Sequence, residues 1–230
     1  MRPRSVLDML AASPRVGAPL KALGTVMAFA VASAHGGVLS VSVLDSRNQA
    51  VPDAAVTVTP VGGPPARGPL APAAVMDQVG KAFVPGVLVV QTGTAVIFPN
   101  SDTVAHQVYS FSPAKRFELG LYRGHPYEPV VFDRPGIVVL GCNIHDNMVG
   151  YIFVTDAPYF GKSDRQGAWH SEALPAAEYE VAVWSPRLPG TTDATRTRVN
   201  LADAPLAIAL HLPEPLRAAV TQERAPRGRY

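Results

Sequence analysis

Short runs of alternating apolar and polar residues, separated by turn-forming residues, are the feature that most constrains the fold of this chain. The clearest examples read V-L-S-V-S-V-L over Val38–Leu44 and A-A-V-T-V-T over Ala54–Thr59. A period of two places successive side chains on opposite faces of a strand, and long helical periodicity is absent. Pro (23 residues) and Gly (19 residues) supply the turns between the runs. The pattern predicts an all-β chain.

The strands fall into groups on either side of a breaker cluster at residues 62–69. Before the cluster, the turn Asp45–Asn48 predicts that the first two runs form a hairpin. After it, short strands spaced by turns predict an antiparallel sandwich. The segment 112–129 is expected to be a long excursion with room for a helical turn. The predicted later strands are Ala82–Val84, Val87–Gln91, Ala95–Phe98, Gln107–Phe111, Val130–Phe132, Ile137–Gly141, Val149–Val154, Ala168–Ala173, Tyr179–Trp184, Thr195–Leu201 and Leu206–Leu212.

The first 34 residues have the pattern of an export signal. Basic residues precede the apolar stretch Ala22–Ser33, and Ala32-Ser33-Ala34 fits the cleavage rule for small residues. The apolar stretch is shorter than the roughly 20 residues that span a bilayer, so no stable membrane span is expected after cleavage. A net charge of +2 does not favour nucleic acid as a partner. Residues 214–230 are expected to form a flexible basic tail.

Cys142 is the one cysteine of the chain. An exported protein with an odd thiol must pair it between chains, bury it or use it to bind a metal. Burial is the usual outcome, but Cys142 begins the loop Cys-Asn-Ile-His-Asp-Asn-Met, which also contains His145 and Met148. This loop places a thiolate, an imidazole and a thioether between two apolar strands, and that donor mixture suits copper in both oxidation states.

A second histidine is needed to complete such a site. His106 is the candidate, because it enters a predicted strand after the turn at residues 99–102. Two histidines and a cysteine in one plane, with a weak axial methionine, form the expected electron-transfer geometry. The predicted ligands are therefore His106, Cys142, His145 and Met148. The other candidates, His125, His170 and His211, have no partner at ligand spacing.

The spacing Cys142-x₂-His145-x₂-Met148 and the segment Phe98-x-Asn100-x-Asp102-x₃-His106 resemble the cupredoxins, with the short loop of amicyanin. The resemblance covers roughly residues 75–155. It implies a Greek-key sandwich, one type 1 copper ion held by His106, Cys142, His145 and Met148, and outer-sphere electron transfer. Gln107 stands where the family usually has an asparagine that bridges to the cysteine loop. Gln107, Asn143 and Asn100 are the residues expected to surround and orient the ligands.

Longer runs such as Gly141–Asp146 resemble proteins named methylamine utilization proteins. That resemblance implies a periplasmic redox role near amine oxidation, with an amine dehydrogenase or a cytochrome as partner. The flanks, which contain Val51-Pro52 and Asp164-x₂-Gly167, resemble a carboxypeptidase regulatory-like β-sandwich. We therefore predict that residues 36–66 and 162–213 form one small sandwich, with a cupredoxin domain, residues 70–158, inserted in it.

Enzyme activity is not expected, because the sequence contains no nucleophile elbow, phosphate-binding Gly loop or zinc-protease helix motif. Two other functions stay open. One is a copper-binding or delivery protein. The other is a cell-surface or carbohydrate-binding module, for which Trp184 and Tyr179 would stack on sugars, although packing in the flanking sandwich is the expected role of both.

Overall fold

The computed structural model describes residues 36–63, 72–124, 127–145, 147–189, 195–213 and 216–218. The predicted export signal, the residue His125 and most of the predicted tail lie outside the described residues. The described part contains strands and turns but no helix, and therefore no helix of membrane-spanning length. The prediction of an all-β chain is confirmed.

The strands are, in chain order, β1 (Gly37–Leu44), β2 (Ala55–Pro60), β3 (Ala74–Val75), β4 (Asp77–Gln78), β5 (Phe83–Val84), β6 (Val87–Gln91), β7 (Thr94–Ile97), β8 (His106–Ser112), β9 (Lys115–Tyr122), β10 (Val130–Phe132), β11 (Gly136–Gly141), β12 (Val149–Thr155), β13 (Tyr159–Lys162), β14 (Ala168–Leu174), β15 (Ala177–Trp184), β16 (Thr195–Leu201) and β17 (Leu206–His211).

The central part of the chain forms a sandwich that positions the predicted ligands. One sheet has the strand order β6-β12-β11-β8-β9, and the other has the order β10-β7-β3. Strands β4 and β5 pair separately. Alternate side chains from the two larger sheets, such as Val138, Ile152 and Val96, join Phe98 and Phe132 in one buried apolar cluster. Burying one face of each sheet against the other provides the main stabilisation of this sandwich.

The flanking strands form two further sheets around a second apolar cluster. Their orders are β14-β1-β17 and β13-β2-β15-β16. Strand β1 pairs antiparallel with β14 and parallel with β17, so it lies outside the central sandwich. Chain segments from before and after the central sandwich thus share one core. The insertion hypothesis requires this pairing, and the domain bounds themselves stay a prediction.

Two predictions about local structure are wrong. Strands β1 and β2 do not form a hairpin, because they belong to different sheets. The turn after β1 does close an antiparallel bridge between Leu44 and Ala50, but the chain then continues to the other sheet. A connection over residues 45–54 exceeds the usual hairpin loop of two to five residues.

The segment 112–129 is the second correction. It contains no helical turn among its described residues, and it forms β9, which pairs antiparallel with β8 from Ser112 opposite Lys115. Strand β9 lies at a sheet edge, where its charged residues face solvent and obscure the apolar alternation. The short strands β3, β4 and β13 were not predicted either.

The outer face of the five-stranded sheet packs against the flanking core. Tyr151 and Phe153 on β12 meet Trp184, with ring centroids 5.8 Å and 5.6 Å apart. Trp184 and Tyr179 are buried, with 3% and 1% of their surfaces exposed. Both residues therefore pack in the core, as expected, and their rings are not available to stack on sugars.

Candidate metal centre

The structure brings three of the four predicted ligands together. The Sγ atom of Cys142 lies 3.9 Å from Nδ1 of His106 and 3.9 Å from Nδ1 of His145. The potential ligand atoms of these three residues all lie within 4.8 Å of one another. Both imidazoles therefore direct the same kind of nitrogen toward one thiol.

Strand pairing explains how residues so distant in sequence meet. His106 is the first residue of β8, and Cys142 follows the last residue of β11. Gly141 pairs with Tyr109 of β8 on one side and with Val149 of β12 on the other. A Cβ atom at position 141 would lie 2.7 Å from the Tyr109 ring, so glycine allows the close approach of β8 to the residue before the thiol.

The loop between β11 and β12 turns tightly at its far end. The backbone N–H of Met148 donates a hydrogen bond to the carbonyl of His145 at 3.0 Å. This turn returns the chain into β12 directly after Met148. It fixes the positions of the histidine and the methionine relative to each other, as expected for a loop whose ends are held by paired strands.

Burial differs among the four residues. His106 is fully buried, Cys142 is 5% exposed and Met148 is 1% exposed, whereas His145 is half-buried. Met148 belongs to the same apolar cluster as Cys142. Ile144, next to His145, is 51% exposed. The loop therefore places His145 at the side of the site that is nearest to solvent.

The donor set and its spacing fit a copper ion. A thiolate and a thioether are soft ligands, and imidazole accepts both copper oxidation states. Bonds of about 2.3 Å to sulfur and about 2.0 Å to nitrogen, the lengths in protein zinc sites, place the two donors about 3.7 Å apart across a trigonal plane. The observed Sγ–Nδ1 separations of 3.9 Å agree with that arrangement.

Asp102 is a residue of the site that sequence analysis did not assign. Its Oδ2 lies 2.7 Å from Nε2 of His106. Burial raises the pKa of the Asp102 carboxyl, but hydrogen bonds from the Lys81 backbone, the His106 ring and the Gly80 backbone outweigh burial. The pKa is therefore below its usual value. The spacing Asp102-x₃-His106 was the available signal, but only the fold shows that the two side chains meet.

Gln107 connects β8 to the cysteine loop. Its Oε1 accepts a hydrogen bond from Nδ2 of Asn143 at 2.7 Å, and its Nε2 donates to Oε1 of Glu118 at 2.5 Å. A side-chain hydrogen bond therefore links the strand of His106 to the loop of Cys142, with glutamine at the position where the resemblance implied an asparagine.

Asn100 supports the turn that leads to His106. Its Nδ2 donates to the carbonyls of Val104 and Tyr122, at 3.0 Å and 2.9 Å, and its Oδ1 accepts from the Asp102 backbone at 3.0 Å. Tyr122 pairs with His106 across β8 and β9. Burial raises the pKa of Tyr122 to about 12, against the effect of a hydrogen bond from Gln78. Asn100 therefore orders the backbone next to His106.

The remaining described histidines have other partners. Nδ1 of His170 lies 2.9 Å from the Ser40 hydroxyl, and Nε2 of His211 lies 2.9 Å from Oδ1 of Asn48. Neither belongs to the group of potential ligands formed by His106, Cys142 and His145.

No protein-family model and no curated protein matches the sequence. Part of the chain is similar to solved structures. A copper-containing nitrite reductase from Thermus scotoductus is 30% identical, with a TM-score of 0.34 and coverage of 42% of this chain but 25% of the reductase. An amicyanin variant is 19% identical over 43% of this chain and 99% of its own, with a TM-score of 0.33. A purple cupredoxin from Nitrosopumilus maritimus is 23% identical over 36% of this chain and 99% of its own, with a TM-score of 0.31. Each similarity extends over less than half of this chain.

Proposed function

We propose that this protein is a single-electron carrier whose copper ion would be held by His106, Cys142 and His145, with the thioether of Met148 as a weaker fourth ligand. The observation that carries the proposal is the approach of two imidazole Nδ1 atoms to one buried thiol, each at 3.9 Å. A bound copper ion supplies a one-electron couple between its +1 and +2 states. Zinc would gain little from a buried thioether.

The protein around these side chains favours electron transfer over catalysis. A catalytic metal site keeps an open coordination position for substrate. Here His106, Cys142 and Met148 are buried, and strands paired on both sides of Gly141 fix the chain directly before Cys142. Side chains held in this way would move little between the two copper oxidation states, which would lower the reorganisation that accompanies electron transfer. We therefore propose that the protein is not an enzyme.

His145 is the proposed point of electron exchange, because it is the ligand nearest to solvent. The exposed Ile144, with Pro85 and Val149 at intermediate burial, offers an apolar rim for a partner protein. An amine dehydrogenase or a cytochrome in the periplasm fits this role, and the export pattern at residues 1–34 supports that compartment. A metal-bound thiolate also explains why an exported chain keeps one unpaired cysteine.

Titration of the purified protein with Cu(II) tests the proposal. We expect an intense visible thiolate-to-copper band that reaches its maximum at one equivalent, bleaches with ascorbate and returns on oxidation. Cys142→Ser should lose the band. His170→Ala should keep it, because His170 contacts Ser40 rather than the site.

Two outcomes would contradict an electron carrier. One is a colourless Cu(II) form, and the other is a Cys142→Ser variant with an unchanged spectrum. A colourless protein that binds Cu(I) alone would indicate copper delivery instead. Retention on polysaccharide without bound metal would indicate a carbohydrate-binding module.

A further inference from the structure

The carboxylate of Asp102 joins two loops at the proposed copper site. Its Oδ2 lies 2.7 Å from Nε2 of His106 and accepts from the Lys81 backbone N–H at 2.8 Å. Its Oδ1 accepts from the Gly80 backbone N–H at 2.6 Å. The side chain is 14% exposed. A carboxylate with three donors in a mostly buried place is held in one orientation.

The turn at residues 80–81 is shaped to supply two of these donors. Both residues have positive φ, 62° at Gly80 and 61° at Lys81, and the Val79 backbone N–H donates to the Ala82 carbonyl at 2.9 Å. Positive φ at a residue other than glycine is uncommon. Because both backbone N–H groups donate to the Asp102 carboxylate, the turn holds the carboxylate in one orientation beside His106.

The hydrogen-bond chemistry then determines where the proton of His106 resides. An ionised carboxylate only accepts hydrogen bonds, so the 2.7 Å contact requires a proton on Nε2. A ring nitrogen that binds a metal must offer a lone pair, so a proton held on Nε2 leaves Nδ1 as the nitrogen that can bind copper. That nitrogen is the one that faces the Cys142 thiol.

We propose that Asp102 is a positioning residue that fixes the Nε2–H form of His106, strengthens Nδ1 as a donor and thereby favours Cu(II) over Cu(I). A carboxylate that accepts the other ring proton makes an imidazole more basic. The stronger donor stabilises the more highly charged metal state to a greater extent, so Asp102 lowers the reduction potential. The effect on potential rests on the proposed function, whereas the protonation of His106 does not.

Asp77 provides a matched control in the same pair of loops. Its Oδ2 accepts from the Ser101 hydroxyl at 2.8 Å, and its Oδ1 accepts from the backbone N–H groups of Gln78 and Ser101 at 2.7 Å and 3.2 Å. Asp77 thus orders the turn next to Asp102 through Ser101. Removing its charge disturbs the turn without removing the partner of His106.

The first experiment is ¹⁵N NMR of the histidine rings in the metal-free protein. We expect His106 to show a protonated Nε2. A protonated Nδ1 with a bare Nε2 would overturn the proposal. This readout needs neither copper nor a variant, so it decides the protonation even if the electron-carrier function is wrong or a variant fails to fold.

The second experiment compares Asp102→Asn with Asp77→Asn by copper affinity and reduction potential. Loss of such a carboxylate costs about 10- to 100-fold in metal affinity. We expect the loss at Asp102 to be larger for Cu(II) than for Cu(I), and each tenfold difference raises the potential by about 59 mV. Asp77→Asn should keep the wild-type potential. An unchanged potential in Asp102→Asn, or an equal rise in both variants, would overturn the proposal.

Discussion

The flanking core and the central core bury different kinds of side chain. The flanking cluster contains aliphatic and aromatic residues, and the buried Ser163 nearby hydrogen-bonds backbone at Ala54 and Val51. The central cluster includes Cys142 and Met148, and fully buried His106 lies beside Cys142. In the first region the buried Ser163 bonds only to backbone, whereas in the second His106 and Cys142 are two of the proposed copper ligands. Stability and metal chemistry should therefore respond to different substitutions.

Trp184→Ala should give the largest loss of stability. The indole is 3% exposed and packs on Tyr151 and Phe153, so its removal leaves a cavity that costs about 3–5 kcal/mol. The visible band of the folded protein should stay unchanged, because these contacts lie on the sheet face opposite the central cluster. Urea denaturation and absorption spectra measure the two effects. Phe111→Ala is the control, since Phe111 is 71% exposed. A weakened band together with wild-type stability in Trp184→Ala would contradict the view that stability and metal chemistry depend on different regions.

Met148→Leu should change the proposed copper site while leaving the stability of the protein nearly unchanged. Leucine keeps most of the buried volume, so the free energy of unfolding should fall by less than about 1.5 kcal/mol. Loss of the weak axial donor should raise the reduction potential while the visible band remains. Voltammetry measures the shift, and Met76→Leu in the same cluster is the control. Equal potentials in the two variants would exclude Met148 as a ligand.

The link between Gln107 and Asn143 should be worth about 1 kcal/mol. Their 2.7 Å hydrogen bond joins β8 to the cysteine loop, and a double-mutant cycle of the two alanine variants isolates its contribution. The Arg196–Glu180 pair on the flanking sheet is the matched surface pair. Its coupling should be about 0.5 kcal/mol or less. A larger coupling in the flanking pair would contradict a special role for the link at the site.

Tyr179→Phe should have the smallest effect, about 0.5–1 kcal/mol at neutral pH, because the hydroxyl donates to the Pro175 carbonyl at 2.9 Å. Burial, followed by the proximity of Tyr159, raises the pKa of Tyr179. A folded-state pKa above the unfolded value stabilises fully at pH values below the unfolded pKa, near 10, and this stabilisation is lost as pH rises further. Urea titrations from pH 7 into the alkaline range should show a shallower decline in Tyr179→Phe. An identical decline in the wild type and in Tyr179→Phe would show that groups other than Tyr179 cause the loss of stability at alkaline pH.

The sequence was sufficient for what depends on local pattern. Alternation predicted most strands, and the spacing within Cys142–Met148 grouped Cys142 with His145, whose side chains the structure places 3.9 Å apart. The pairing of His106 with Cys142 was predicted from the turn at residues 99–102 and the strand that follows it, but its geometry depends on β8 lying beside β11. Asp102 was missed because hydrogen bonding to Nε2 depends on the turn at Gly80 and Lys81, which local pattern does not reveal. The predicted hairpin of β1 and β2 was wrong because each strand pairs with later strands, in a different sheet.

X-ray absorption of the copper-loaded protein in both oxidation states tests the central claim most directly. The account predicts one short copper–sulfur bond and two copper–nitrogen bonds, from Cys142, His106 and His145, with lengths that change little on reduction. Absence of the short sulfur bond, or a ligand set that changes between the two states, would contradict a copper electron carrier.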